Sequence, residues 1–159
     1  MSDEAPQMLL NDEVRCLRQV PMFAGVAASR LKLLAFASER VAYRKGETLF
    51  RQGEPGDAAY LVLEGTADVL IETESGQVKV SEVVRNGIVG EIAILCDVAR
   101  TATVRAGSDL EALRIDKDDF LRLLHDFPDV TREVVQVLAS RLSHTTAELA
   151  SAHRAARAS

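Results

Sequence analysis

The sequence predicts a mainly β fold, a small barrel or jelly roll with helices before and after it. Three observations lead there. From Arg40 to about Ile115, short apolar-alternating runs are divided by glycines. On either side of that region the apolar spacing changes from two to three and four, the change from strand to helix. A chain of 159 residues, 47% apolar, can bury one real core and leaves no room for a second folded domain.

Residues 1–9 read as a disordered tail, and residues 10–38 as two helices. The first, LLNDEVRCLRQV, carries Leu10, Val14 and Leu17 on one face and is ended by Pro21. Ser29 is placed to cap the second, whose apolar positions are Leu31, Leu34, Ala35 and Phe36. The barrel then occupies residues 39–115. ERVAYR and ETLFRQ flank Lys45-Gly46, and AAYLVLEG and ADVLIET flank Gly65. VKVSEVV follows Ser75-Gly76 and ends near Asn86-Gly87, with TATVRA and LEALRI after it. Six or seven such strands, with turn signals between them, suit a closed β architecture.

Residues 116–152 return to helical spacing, and residues 153–159 form a tail. Asp116 is placed to cap KDDFLRLLHDF, and Pro128 fits the first turn of a long helix from Asp129 to about Ala152. There Val134, Leu138, Leu142, Thr145, Leu149 and Ala152 follow at steps of four, four, three, four and three. That near-continuous seam suits packing on a partner helix, and so a homodimer through residues 130–152. It also suits an ordinary amphipathic helix lying on its own barrel.

Composition narrows the function. Nineteen basic and 24 acidic residues leave a net charge of −5, against direct nucleic-acid binding. No run has the ~20 apolar residues of a membrane span, and the N-terminus lacks the pattern of a secretory signal. Cys16 and Cys96 are far apart and not at metal-ligand spacing, so free thiols in a reducing cytoplasm are expected.

One stretch stands out, GEIAILCDVARTATV over residues 90–104. Gly90 allows a sharp turn, and Glu91 to Leu95 fit one short helical turn whose first amides lack intrahelical partners. Arg100 follows Glu91 by nine positions, and a guanidinium can grip two phosphate oxygens. Glu91 can accept a hydrogen bond from a sugar hydroxyl, Thr101 and Thr103 can add hydroxyls, and Ala93, Ala99 and Ala102 leave space. Taken alone, Glu91 and Arg100 are equally able to pair with each other and fix the loop.

The segment resembles the phosphate-binding cassette of cyclic nucleotide-binding domains, in which a Gly-Glu pair opens a short helix and an Arg-small-Ala sequence closes the loop. Upstream, GETLFRQGEPGDAAYLVLEGTADV resembles that family's glycine-marked strands, with Gly46, Gly53, Gly56, Asp57 and Gly65 at the turns. The resemblance covers roughly residues 20–150. It implies that Arg100 binds the cyclic phosphate, Glu91 the ribose 2′-hydroxyl, and Gly90 permits close approach. It also implies that the amides of Ile92, Ala93, and Thr101 or Ala102 cradle the ribose-phosphate. Val62, Leu63, Val83 and Val89 are the expected apolar wall beside the base.

The ligand expected is cAMP or cGMP, with no further cofactor. Thr101 follows the arginine, where some family members contact guanine and others still prefer cAMP. LASRLSHTTAEL resembles the long dimer helix of the catabolite activator branch, where a Thr-Ser pair from two subunits touches adenine; Thr145 and Thr146 occupy that place. This favours cAMP, although the Glu-to-Arg spacing of nine is closer to kinase regulatory subunits and gated channels.

An enzyme is not expected. His125, His144 and His153 all fall in or directly after the C-terminal helices and not on strands, so no metal site or catalytic triad is visible on the barrel. The expectation is a cytoplasmic, stand-alone cyclic nucleotide sensor whose C-terminal helices act as a lid, with Leu95 and Val98 as their contacts, and which signals to an unknown effector protein. The alternatives are a cGMP sensor, the regulatory half of a transcription factor without its DNA-binding domain, and a degenerate protein-interaction module.

Overall fold

The computed structural model describes residues 4–126, together with 132, 135 and 136. Helix α1 (Glu4–Gln19) is followed by a short 3-10 turn, Pro21–Phe23, and by α2 (Ala28–Ala37). Then come β1 (Glu39–Tyr43), β2 (Thr48–Phe50), β3 (Ala58–Glu64), β4 (Ala67–Thr73), β5 (Gly76–Val83) and β6 (Ile88–Val89). Helix α3 (Glu91–Leu95), β7 (Thr103–Ala106), β8 (Leu110–Asp116) and α4 (Lys117–Asp126) complete the described chain. The eighth strand, beyond the six or seven expected, is the two-residue β6, paired to Tyr60 and Leu61 of β3.

Two four-stranded antiparallel sheets form the barrel, in the orders β1-β8-β3-β6 and β2-β7-β4-β5. Strand β3 explains their division of labour. Its first six residues, AAYLVL, are all buried, so period-two alternation is lost and both faces are covered. Ala59, Leu61 and Leu63 face the helices with Leu17, Phe23, Leu31, Leu113, Ile115 and Phe120. Ala58, Tyr60 and Val62 face the other sheet with Phe50, Ala67, Val89, Val104, Ala106 and Ala112. Phe23 and Phe120 meet edge to face at 5.9 Å in the helical layer. Burying each such side chain contributes about 1.5–3 kcal/mol.

The helices depart from expectation in three places. Helix α1 begins at Glu4 and takes in residues assigned to the tail. Pro6 does not prevent this, because a first-turn residue needs no amide hydrogen. Ser29 lies inside α2 and does not cap it; Ala27 holds the cap position, and its carbonyl accepts from Arg30 and Leu31. Phe36 is 82% exposed, because the buried stripe runs through Leu31, Leu34 and Ala35 and the next residue is turned about 100° away. Asp116 does precede α4, with its carboxylate bonded to Arg114.

Of the long C-terminal helix expected from Asp129, Arg132, Val135 and Gln136 are described, all helical and exposed. Thr145, Thr146 and the whole of the apolar seam lie outside the described residues.

Candidate functional site

The inter-sheet layer opens into a cavity of about 350 Å³ at the end where α3 joins the barrel. Gly90 makes the corner from β6 into α3 with φ +85°, a conformation glycine adopts without strain. A side chain there would also meet Arg100: a Cβ would sit 2.6 Å from Nη1 and 3.2 Å from the Ala58 carbonyl oxygen. Gly56 is fixed by packing, since its Cβ would fall 2.5 Å from that of Ala93 in α3.

Main-chain bonds position Arg100. Its amide donates to the Glu54 carbonyl and its carbonyl accepts from the Gly53 amide, each at 2.8 Å. The loop before β3 and the segment before β7 thus hold each other. The Arg100 side chain is 1% exposed. Nη1 donates to the Gly90 carbonyl at 2.8 Å, and Nη2 donates to the Ala58 carbonyl at 2.7 Å and to the Asp57 carboxylate at 3.3 Å. The guanidinium lies over the Phe50 ring, 3.9 Å from its centroid. Burial pushes its pKa down from the ordinary arginine value, and Asp57 opposes that shift. Asp57 is also held by Arg114 at 3.2 Å.

Arg100 retains capacity. A guanidinium has five N–H donors, and Nε is buried with no hydrogen-bond partner. A buried cation that keeps an unused donor is costly unless something else meets it. The cavity wall is where that partner can enter. Glu91, the first residue of α3, is 3% exposed and lines the same cavity.

The structure brings most of the expected residues together. Val83, Val89, Gly90, Glu91, Ile92, Ala93, Arg100, Thr101 and Ala102 all line the cavity. Leu63 does not: it packs under the helices, because it lies on the opposite face of β3 from Tyr60 and Val62. Val62 faces the inter-sheet layer but lies outside the cavity lining. Thr103 does not reach it either. The chain is bent at Thr101 and Ala102, which breaks the expected alternation, and the Thr103 hydroxyl accepts from the Gln52 amide at 2.9 Å. Phe50, Val69, Ser81, Ile88 and Val104 line the cavity and were not anticipated. Asp57 was read as a turn residue, not as the carboxylate partner of Arg100.

A family model described as the cyclic nucleotide-binding domain matches residues 40–127, more than half of the chain. The chain belongs to the cyclic nucleotide-binding domain family. That family is a regulatory binding module and not a catalytic one. Over 116 residues the chain is 33% identical to a cAMP-dependent protein kinase regulatory subunit of Aspergillus niger, covering 73% of this chain and 28% of that protein. The crystal structure of the Thermus thermophilus catabolite activator protein matches with TM-score 0.74 at 29% identity, over 81% of this chain and 61% of that one. A cyclic nucleotide-binding-like protein of Brucella abortus matches with TM-score 0.64 at 34% identity, over 72% of this chain and 98% of that one. The chain spans 28% of the length of the Aspergillus subunit, so the match concerns the binding domain and not the whole regulatory protein. No helix among the described residues is long and apolar enough to cross a membrane.

Proposed function

We propose that this domain is a cytoplasmic cyclic nucleotide sensor that binds cAMP in preference to cGMP and has no catalytic activity of its own. The observation that carries this reading is Arg100: a buried guanidinium lining an open cavity, with an N–H donor unspent. A cyclic phosphate supplies the missing acceptor and a negative charge together. Glu91 accepts the ribose 2′-hydroxyl, while Gly90, Ile92, Ala93, Thr101 and Ala102 surround the ribose-phosphate. Val83 and Val89 form part of the apolar wall for the base. The preference for cAMP is supported by relatives named for it, among them a cyclic AMP receptor protein of Thermus thermophilus at 31% identity. Thr145 and Thr146 are the proposed adenine contacts.

Occupancy acts as a shift between two arrangements of the C-terminal helices. The path is short. The Lys117 amide, at the start of α4, donates to the Asp57 carbonyl at 2.9 Å, and the Lys117 ammonium lies 3.6 Å from Asp97 beyond α3. Arg100 therefore shares Asp57 with the base of α4. A phosphate that draws Arg100 changes what α4 rests on, and the helices beyond it close over the base. Leu95 already packs against the helical core, and Val98 is 46% exposed and free to receive them. The sensor works as a homodimer through residues 130–152 and passes its signal to an effector protein.

Calorimetric titration of cAMP, then cGMP, into protein unfolded, stripped of carried-over ligand and refolded tests the reading. Saturable heat with tighter binding of cAMP supports it, and no heat with either ligand in a folded protein refutes it. Light scattering at tens of micromolar tests the dimer separately, where a monomer mass removes that part alone.

A further inference from the structure

The outer face of the sheet β2-β7-β4-β5 carries a second pocket, of about 330 Å³. None of its residues lines the cavity of Arg100. Strand β7 sets it there. Val104 faces the cavity, so Thr103 and Arg105 on either side of it face outward. Thr48 of β2 pairs with Arg105 and lies beside it. Arg51 and Gln52 follow β2, and Glu72 of β4 and Gln77 of β5 complete the lining.

Hydrogen-bond donors are in excess in this pocket, because the carboxylates around the two arginines are committed elsewhere. Asp68, opposite Arg105 on β4, takes the Lys79 ammonium at 3.0 Å. Glu54 accepts from the main-chain amide of Arg51 at 2.6 Å. Glu72 accepts from the Gln77 side chain at 2.7 Å. Among the described residues neither the Arg51 nor the Arg105 guanidinium makes an ion pair or a hydrogen bond. Thr103 is buried; its oxygen accepts from the Gln52 amide, and its own hydrogen is given to no described residue. The side-chain oxygen of Gln52 accepts from the Glu72 amide at 3.0 Å, which leaves its amino group to donate.

We infer that this pocket binds a hydroxylated phosphate monoester, on a face of the barrel separate from the nucleotide cavity. A phosphate group carries a charge of about −1.5 to −2 at neutral pH and three strong acceptor oxygens. Arg51 and Arg105 supply the opposite charge, and the Thr103 hydroxyl and the Gln52 amino group meet the remaining oxygens. Glu72 keeps a second oxygen to accept from a hydroxyl of the ester. The inference stands whether or not the inner cavity takes a cyclic nucleotide.

The test is calorimetric titration of ribose 5-phosphate, inorganic phosphate and ribose in otherwise phosphate-free buffer. Two backgrounds are used, Arg100→Ala and wild type saturated with cAMP, so that the buried guanidinium cannot take the phosphate. Saturable binding of ribose 5-phosphate in the millimolar range is expected in both, with none of ribose. The ester is expected to bind about fivefold tighter than inorganic phosphate, the value of one added hydrogen bond. Arg51→Gln and Arg105→Gln are each expected to weaken the ester by at least about tenfold, and the double variant to abolish its binding. No saturable binding to the folded protein through tens of millimolar, or unchanged binding in the double variant, overturns the inference. Equal affinity for inorganic phosphate overturns the assignment to an ester. Binding to ligand-free wild type that vanishes in both backgrounds places the ester in the inner cavity and overturns the inference as well.

Discussion

The two faces of β3 are built from the same strand and do opposite things. Toward the helices, Leu61 and Leu63 join Leu17, Phe23, Leu31 and Phe120 in a closed layer of large side chains. Toward the other sheet, Ala58, Ala67, Ala106 and Ala112 keep the layer thin, and one end opens onto a buried cation. The closed face contributes stability by removing apolar area from water. The open face gives up part of that gain and holds a charge in reserve for a ligand. Stability and binding are therefore separable by mutation.

The largest separation is expected from Arg100→Ala. Loss of the buried guanidinium weakens cyclic nucleotide binding by on the order of 3–5 kcal/mol, read by titration. Phe120→Ala does the reverse. It empties a fully buried site in the helical layer and lowers unfolding stability by about 3–5 kcal/mol in urea, while cAMP affinity measured well below the melting point stays within about threefold.

Gly90→Ala falls on the boundary between the faces. It places a Cβ against Arg100 Nη1 and forces an L-residue to positive φ. A cost of about 1–3 kcal/mol in stability is expected, together with weaker binding, because the clash displaces the guanidinium itself. An effect on stability without one on affinity would separate the glycine from the site.

The smallest effect is a pH dependence confined to the helical side. Glu13 is 8% exposed on α1, 3.6 Å from Arg40. Burial raises its pKa above the ordinary glutamate value, with Arg40 opposing. The folded state then holds the proton to higher pH than the unfolded chain. This contribution is most favourable below the unfolded value of about 4.3 and is lost as pH rises through the folded one. Glu13→Gln is expected to flatten the melting temperature over that window without changing the pH dependence of cAMP binding.

What the sequence revealed follows the range of each signal. Segment 90–104 was legible because its glycine, carboxylate and arginine lie within one short stretch, and eight of its residues line one cavity. Leu63 was misplaced because β3 is buried on both faces, so its pattern carries no phase. Phe36 was misplaced because an aromatic on a helix says little about which side of a narrow stripe it falls. Phe50, Val104, Val69 and Ser81 line the cavity from four strands, and no local pattern encodes register between them. The same distance in sequence hid the bond from Arg100 to Asp57.

Melting wild type and Arg100→Ala, each with and without cAMP at one concentration that saturates the wild type, tests the division of the two faces most directly. At a thousandfold excess over Kd, binding stabilises the wild type by about 4 kcal/mol, seen as a higher melting temperature. The account predicts that rise in wild type, a rise worth no more than about 1 kcal/mol in Arg100→Ala at the same cAMP concentration, and ligand-free stabilities of the two proteins within about 2 kcal/mol of each other. Equal rises in both proteins, or none in the wild type, would contradict it.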